Sequence, residues 1–142
     1  MDRSEGKARL LAGGCFCGAV GYEVEDAFGY AANCHCSGCR RATGAAFKPF
    51  AGIEVDKLRL TRGEDKLLIF GDRNAAHDRH CAQCGSLLYS VVHDNAYAHV
   101  AMGTLIDAPS IRPDHHIFVG SKAPWFTITD DLPQYLEHAG VD

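Results

Sequence analysis

The chain has 142 residues, 46% of them hydrophobic and 23% charged, the balance of a single globular domain able to bury its own core. Its formal net charge is −4 and no basic run is longer than Arg40-Arg41, which argues against a nucleic-acid binder or a protein held on an anionic membrane. Seven cysteines are the one departure from an ordinary composition, and an odd number cannot pair completely within one chain.

The stretch "MDRSEGKARLLAGGC" holds charges and only a short apolar patch, so no secretory leader is expected. No segment approaches the ~20 apolar residues of a membrane span. The expected location is a reducing cytoplasm, where clustered cysteines serve more often as metal ligands than as disulfides.

Taken in chain order, alternating or β-branched and aromatic runs predict strands over 19–24, 57–61, 66–70, 87–93, 97–102, 115–119 and 125–128. "VVHDNAYAHVAM" reads as a hairpin turning at Asp94-Asn95. Helical signal is confined to a turn or two after Cys36 and to the tail "DDLPQYLEHA", where Asp130 or Asp131 could cap and Pro133 could open the first turn. Glycines and prolines punctuate the chain too often for alternating βαβ units. The expected organisation is a tail over 1–12, one metal-bearing domain over 13–138 and a short tail over 139–142.

The cysteines fall into three groups: Cys15-x-Cys17, Cys34-x-Cys36-x-x-Cys39 and Cys81-x-x-Cys84. Thiolates one or two residues apart can meet one ion from a tight turn, and Gly13, Gly14, Gly18, Gly38 and Gly85 supply the freedom such turns need. Zinc is the ion that such sulfur sets favour. Seven sulfurs divide into a closed tetrahedral set of four and an open set of three. Spacing admits two partitions. A zinc-ribbon pairing joins Cys36 and Cys39 to Cys81 and Cys84, whereas the alternative joins Cys15 and Cys17 to Cys81 and Cys84 and leaves Cys34, Cys36 and Cys39 on one loop. The second is favoured because three ligands on one loop need no long-range closure. His35, between two ligands, should point away; His80 could support Cys81; and His115 and His116 face opposite ways if their segment is a strand.

The segments "GGCFCGAVGYEV", "NCHCSGCRRATGAAF", "HCAQCGSLLY", "GTLIDAP" and "HHIFVGSKAPWFTITDDLPQY" occur in the order found in the glutathione-dependent formaldehyde-activating enzyme family. The resemblance runs from Gly13 to Tyr135 and is to the family's shorter branch. Ile106 stands where related chains often carry an acidic residue, and His80 where an aromatic usually precedes the cysteine pair. The resemblance implies an all-β fold, a zinc-stapled complex sandwich of small antiparallel sheets with at most short helical turns. It also implies two zinc ions per chain, the second not necessarily filled: a structural one on Cys15, Cys17, Cys81 and Cys84, and a catalytic one on Cys34, Cys36 and Cys39. The implied activity is that of a carbon–sulfur lyase of the S-(hydroxymethyl)glutathione synthase type, condensing glutathione or a related thiol with formaldehyde or another aldehyde.

That chemistry suits the ligands. Zinc on three thiolates is a weak Lewis acid toward water but a good acceptor for a further sulfur. Arg40, Arg41, Lys48 and Lys122 are the candidate partners for the thiol's carboxylates. Trp125 is expected in the core. The competing reading is a non-catalytic zinc module in which a fourth protein ligand, such as a histidine, closes the second site and a thiol or protein partner is merely bound.

Overall fold

The computed structural model describes residues 8–139. β1 (Leu10–Gly14) and β2 (Gly21–Glu25) form a hairpin, and β5 (Leu58–Arg62) adds to β2 to complete a three-stranded antiparallel sheet. The second sheet has seven strands, in the order β10 (His116–Ile117), β3 (Tyr30–Cys34), β4 (Lys48–Glu54), β9 (Tyr97–Ala101), β8 (Leu87–Val92), β7 (His77–Cys81) and β6 (Leu67–Gly71). Its pairings are antiparallel except for β10 beside β3. One helix, α1 (Ser37–Thr43), follows β3. The mostly β architecture in two sheets agrees with the sequence.

β4 has two buried faces, and this decides where everything else lies. On one face the register aligns Ala51 with Val100 and Tyr89, and Ile53 with Ala98 and Val91. Ile53, Tyr89, Val91, Ala98 and Val100 meet Leu11, Tyr22 and Val24 of the small sheet in the main core, and Ala51 is fully buried on the same face. The opposite face aligns Tyr30 with Gly52 and His99, Ala32 with Phe50, and Cys34 with Lys48. Because side chains alternate along a strand, this second face is set by the same register that builds the first.

Several expected strands coincide with β2, β5, β6, β8, β9 and β10, and the turn at Asp94-Asn95 is present with positive φ at His93, Asp94 and Asn95. β1, β3, β4 and β7 were not expected from pattern. β3 reads "YAANC", β4 carries a proline and a glycine, and β7 reads "HDRHC", so none has the β-branched alternation that announces a strand. β1 also begins inside the segment expected as a tail, whose residues 1–7 lie outside the described ones.

Three expectations are corrected. No strand forms over 125–128, and Trp125 is 70% exposed rather than in the core. The segment "DDLPQYLEHA" is not helical. It runs extended beside β10, with His116 N–H donating to the Pro133 carbonyl and Tyr135 N–H to the His116 carbonyl. Pro133 biases the preceding residue toward extended backbone, and β10 offers the hydrogen bonds that a helix would have had to make internally.

Asp107 of "GTLIDAP" accepts the Ala12 N–H at 2.8 Å, while Ile106 N–H donates to the Ala12 carbonyl, so this motif completes the edge of β1. Nearby, Gly13 lies under the fully buried Tyr22 ring, and a Cβ there would collide with it. Gly13→Ala should therefore destabilise the domain by about 1–3 kcal/mol in urea denaturation through overpacking. Gly29→Ala, where a Cβ meets nothing, should change the midpoint little.

Candidate metal centres

Cys15 and Cys17 lie in the turn after β1, Cys81 ends β7, and Cys84 lies in the following turn. Gly18 (φ 84) and Gly85 (φ 85) let the two turns reverse tightly enough to aim their sulfurs inward. The four Sγ atoms lie within 4.8 Å of one another. Cys15 and Cys17 sulfurs are 3.7 Å apart, and Cys17 and Cys81 sulfurs 3.8 Å. A tetrahedron with Zn–S bonds of ~2.3 Å has edges of about 3.8 Å, so the spacing fits such an ion. The zinc-ribbon pairing of Cys36 and Cys39 with Cys81 and Cys84 is not the arrangement formed.

Backbone N–H groups support the sulfurs. Val20 N–H points at Cys15 Sγ (3.2 Å), and Gln83 and Cys84 N–H groups at Cys81 Sγ (3.3 and 3.4 Å). Ser86 ties the two turns together, accepting the Phe16 N–H and lying 3.2 Å from Cys84 Sγ. The Ser86 contact holds the Cys84 thiol well below its ordinary range. The Ala19 backbone contact would lower Cys17, but desolvation and the neighbouring sulfurs outweigh it and drive that thiol up. Four thiols this close cannot all ionise without a cation to compensate them.

The second set has Cys34 at the end of β3, Cys36 as the N-cap of α1, and Cys39 in its first turn, again with sulfurs within 4.8 Å. Cys36 Sγ accepts the Cys39 N–H at 3.2 Å, and Gly44 closes the helix with φ 68. The contact between the Cys34 and Cys39 side chains lowers the Cys34 thiol and raises the Cys39 thiol. Among the described residues no histidine or carboxylate joins either set.

His35, between two of these cysteines, turns away as expected and is fully buried. Its Nε2 lies 2.8 Å from His116 Nδ1, and His116 Nε2 lies 3.1 Å from both carboxylate oxygens of Asp130. A carboxylate only accepts, so His116 carries its proton on Nε2, and His35 then donates from its own Nε2. This leaves His35 Nδ1 as a bare, unpartnered nitrogen on a ring that packs with Phe47 and Phe126. Burial first, then the neighbouring His116 and Lys122, hold His35 at about 4, so His35 is neutral where it braces the cysteine loop from behind.

Two cavities meet at the three-cysteine set, one on each side of Lys48 and Cys39. The first, of about 680 Å³, is walled by Tyr30, Phe50, Tyr97, His99, Ile117 and Phe118 and reaches Cys34 and Cys39. The second, of about 840 Å³, runs between α1 and β6–β8 past Cys36, Cys39, Arg41, Asp78 and Ser90. Lys48, His99 and Cys39 line both. Lys48 is 7% exposed, has no hydrogen bond or ion pair among the described residues, and stands 6.0 Å from the Phe50 ring centre.

Of the cations singled out in the sequence, Arg41 lines the larger cavity. Arg40 lines neither, and its buried Nε has no partner. Lys122 gives its ammonium to the carbonyls of Ala123 and Phe126, and it too lines neither cavity. Tyr30, Phe50, Tyr97 and His99 escaped sequence reasoning altogether. Their only signal is the alternate spacing Tyr30-x-Ala32-x-Cys34, Lys48-x-Phe50 and Tyr97-x-His99, which points at one surface only once the register of β3, β4 and β9 is known.

His99 stacks on Phe50 at 4.5 Å and lies 2.7 Å from the Tyr30 hydroxyl. Burial, then Lys48 and His93, lower it to about 4 from an ordinary 6.5. The folded state therefore binds fewer protons than the unfolded one between these values. Its contribution is complete above pH ~6.5 and is lost as the pH falls toward 4. His99→Gln should flatten, though not abolish, the fall of the denaturation midpoint across that window, because His35 acts in the same direction. Parallel curves for the two proteins would contradict this.

The family model described as glutathione-dependent formaldehyde-activating enzyme matches residues 10–121. A Talaromyces marneffei protein, provisionally named as a glutathione-dependent formaldehyde-activating enzyme, is 32% identical over 60 residues, a match covering 42% of this chain and 32% of that protein. A crystal structure of a Rhodobacter sphaeroides protein superposes with a TM-score of 0.57 at 32% identity, covering 70% of this chain and 92% of that one. With the family match spanning most of the domain that carries both cysteine sets, the chain belongs to the glutathione-dependent formaldehyde-activating enzyme family.

Proposed function

We propose that this chain binds a thiol, glutathione or a close relative, at an open zinc held by Cys34, Cys36 and Cys39, and joins it to formaldehyde or another aldehyde. The reaction is a carbon–sulfur lyase step of the S-(hydroxymethyl)glutathione synthase type, run toward synthesis. The observation that carries this reading is the three-sulfur set, joined by no fourth donor among the described residues and lying where two cavities meet. Cys15, Cys17, Cys81 and Cys84 take a structural zinc, since four sulfurs close a tetrahedron and leave nothing open.

Bound at the three cysteines, zinc supplies a soft acceptor that keeps an incoming thiol ionised at neutral pH, where a free thiol of pKa ~8.5 is mostly protonated. The protein's own groups do the rest. Arg41 provides a charge-assisted hydrogen bond for a carboxylate of glutathione. Lys48 is the cation nearest the reacting end, able to meet the negative oxygen that develops as sulfur attacks a carbonyl carbon. Cysteine clusters that serve as metal ligands suit a reducing, cytoplasmic setting. Among the described residues no helix is long and apolar enough to cross a membrane.

The two sites should respond differently to mutation. Cys15→Ser or Cys81→Ser should unfold the domain or make it insoluble, because a structural zinc contributes of order 10 kcal/mol to folding. Cys36→Ser should stay folded, with serine an adequate helix cap, while losing one metal equivalent. Equal loss of structure in both would remove the division of roles.

Calorimetric titration then tests the ligand. Glutathione should bind the zinc-loaded protein at least tenfold more tightly than S-methylglutathione, which cannot provide a thiolate, and Cys36→Ser should erase the difference. Equal affinities in the wild type would defeat the mechanism and favour the non-catalytic module.

A further inference from the structure

Formaldehyde has two heavy atoms, whereas the first cavity holds about 680 Å³, the scale of a site for a drug-sized ligand. Its size is unexplained if formaldehyde is the carbonyl partner. Its walls are mostly rings and aliphatic carbon, with Lys48 the one ammonium and the imidazoles of His93, His99, His115 and His138 among the rings. The neighbouring cavity is also largely apolar but adds the Arg41 guanidinium, beside an Asp78 carboxylate that already accepts from the Ser90 hydroxyl, so the cation for a carboxylate of glutathione lies on that side. Cys39, Lys48 and His99 belong to both, so ligands seated on the two sides would meet at the three-sulfur set.

We propose that the aldehyde substrate carries an aromatic or similarly bulky apolar substituent, seated in the cavity walled by Tyr30, Phe50, Tyr97, Ile117 and Phe118, with its carbonyl directed at Lys48 and the three cysteines. This deepens the reading above and rests on it. The walls are preorganised. Phe50 and His99 stack at 4.5 Å, Tyr30 meets Phe50 edge-on at 6.3 Å, and the Tyr30 hydroxyl is fixed on His99 at 2.7 Å. The three rings come from adjacent strands and so hold their positions through the sheet. His99 stays uncharged at neutral pH because burial lowers it to about 4, which keeps that wall compatible with an apolar guest.

The step balances without any oxidant. The thiolate sulfur forms a bond to the carbonyl carbon, and the π pair of the carbonyl moves to oxygen. That oxygen takes a proton from the Lys48 ammonium. The proton lost when the thiol ionised restores the lysine through solvent, and the product is a hemithioacetal. Lys48 suits the task because its ammonium is held among apolar side chains with no carboxylate partner among the described residues.

The experiment uses the full zinc-loaded chain with glutathione held constant, and follows adduct formation by magnetisation exchange in NMR with formaldehyde and with phenylacetaldehyde. The expected result is a kcat/KM at least tenfold higher for phenylacetaldehyde. 2-Phenylethanol, of the same shape but unreactive, should compete with it. Ile117→Trp, which narrows the cavity, should lower the ratio of the two rates by tenfold or more. Should that variant fail to fold, the alcohol competition on the wild type decides the same question. Equal or better turnover of formaldehyde, or no competition by the alcohol, overturns the inference. The cobalt(II)-substituted protein separates the two levels. An absorption change on adding glutathione together with a formaldehyde preference sinks the aldehyde inference alone. No change on adding glutathione sinks the thiol reading and this inference with it.

Discussion

Four sulfur atoms at the seam between two sheets are the constraint on which this fold turns. Cys15 and Cys17 extend from the edge of the small sheet, and Cys81 and Cys84 from the end of β7 in the large one, yet all four meet within 4.8 Å. Left as thiols they share protons unevenly: Ser86 holds Cys84 down, and the desolvation of Cys15 is outweighed by the Val20 N–H and the neighbouring thiols, which lower it. The Ala19 contact on Cys17 is outweighed by desolvation and the neighbouring sulfurs, which push it up. With a cation among them, the same closeness becomes a crosslink between sequence positions more than sixty residues apart. Ser86 and the N–H groups aimed at the sulfurs already hold the geometry such an ion demands.

Within the large sheet the register of β4 between β3 and β9 separates stability from chemistry. On one face Ile53 belongs to the main core with Ala51 fully buried beside it in the strand, while Lys48 and Phe50 on the other belong to the cavities. The three-cysteine loop is anchored in turn. Cys34 stands opposite Lys48 across β3 and β4, α1 presents Cys36 and Cys39, and the Asp130–His116–His35 chain fills the space behind. The residues around the open sulfur set are thus held by strands and a capped helix rather than by a free loop, which is what a site needs if its ligands are to keep their geometry without help from the substrate.

How much of this could be read from the sequence depended on the range of the signal. The cysteine groups are local, so their spacing named the three groups but left two partitions open, and loop closure favoured the one that the sulfurs adopt. α1 was legible for the same reason, its cap and its ligand being one residue, Cys36. The aromatic cavity was not legible. Tyr30, Phe50 and His99 lie on three strands, two of which carry alanine, proline or glycine where β-branched residues would have marked them. Trp125 misled in the other direction, since its bulk suggested burial but the turn after Lys122 leaves it on the surface. The tail from Asp130 also had good capping residues for a helix, but the open edge of β10 claimed its backbone.

The central claim is that one sulfur set is closed and the other open, and X-ray absorption at the zinc edge reads it directly. The zinc-loaded protein should hold two ions per chain, with an average coordination between three and four sulfurs and a light atom making up the rest. Adding glutathione should raise that average to four sulfurs, and Cys36→Ser should leave a single ion with four. An average of four sulfurs before any thiol is added, or one ion per chain in the wild type, would contradict the account.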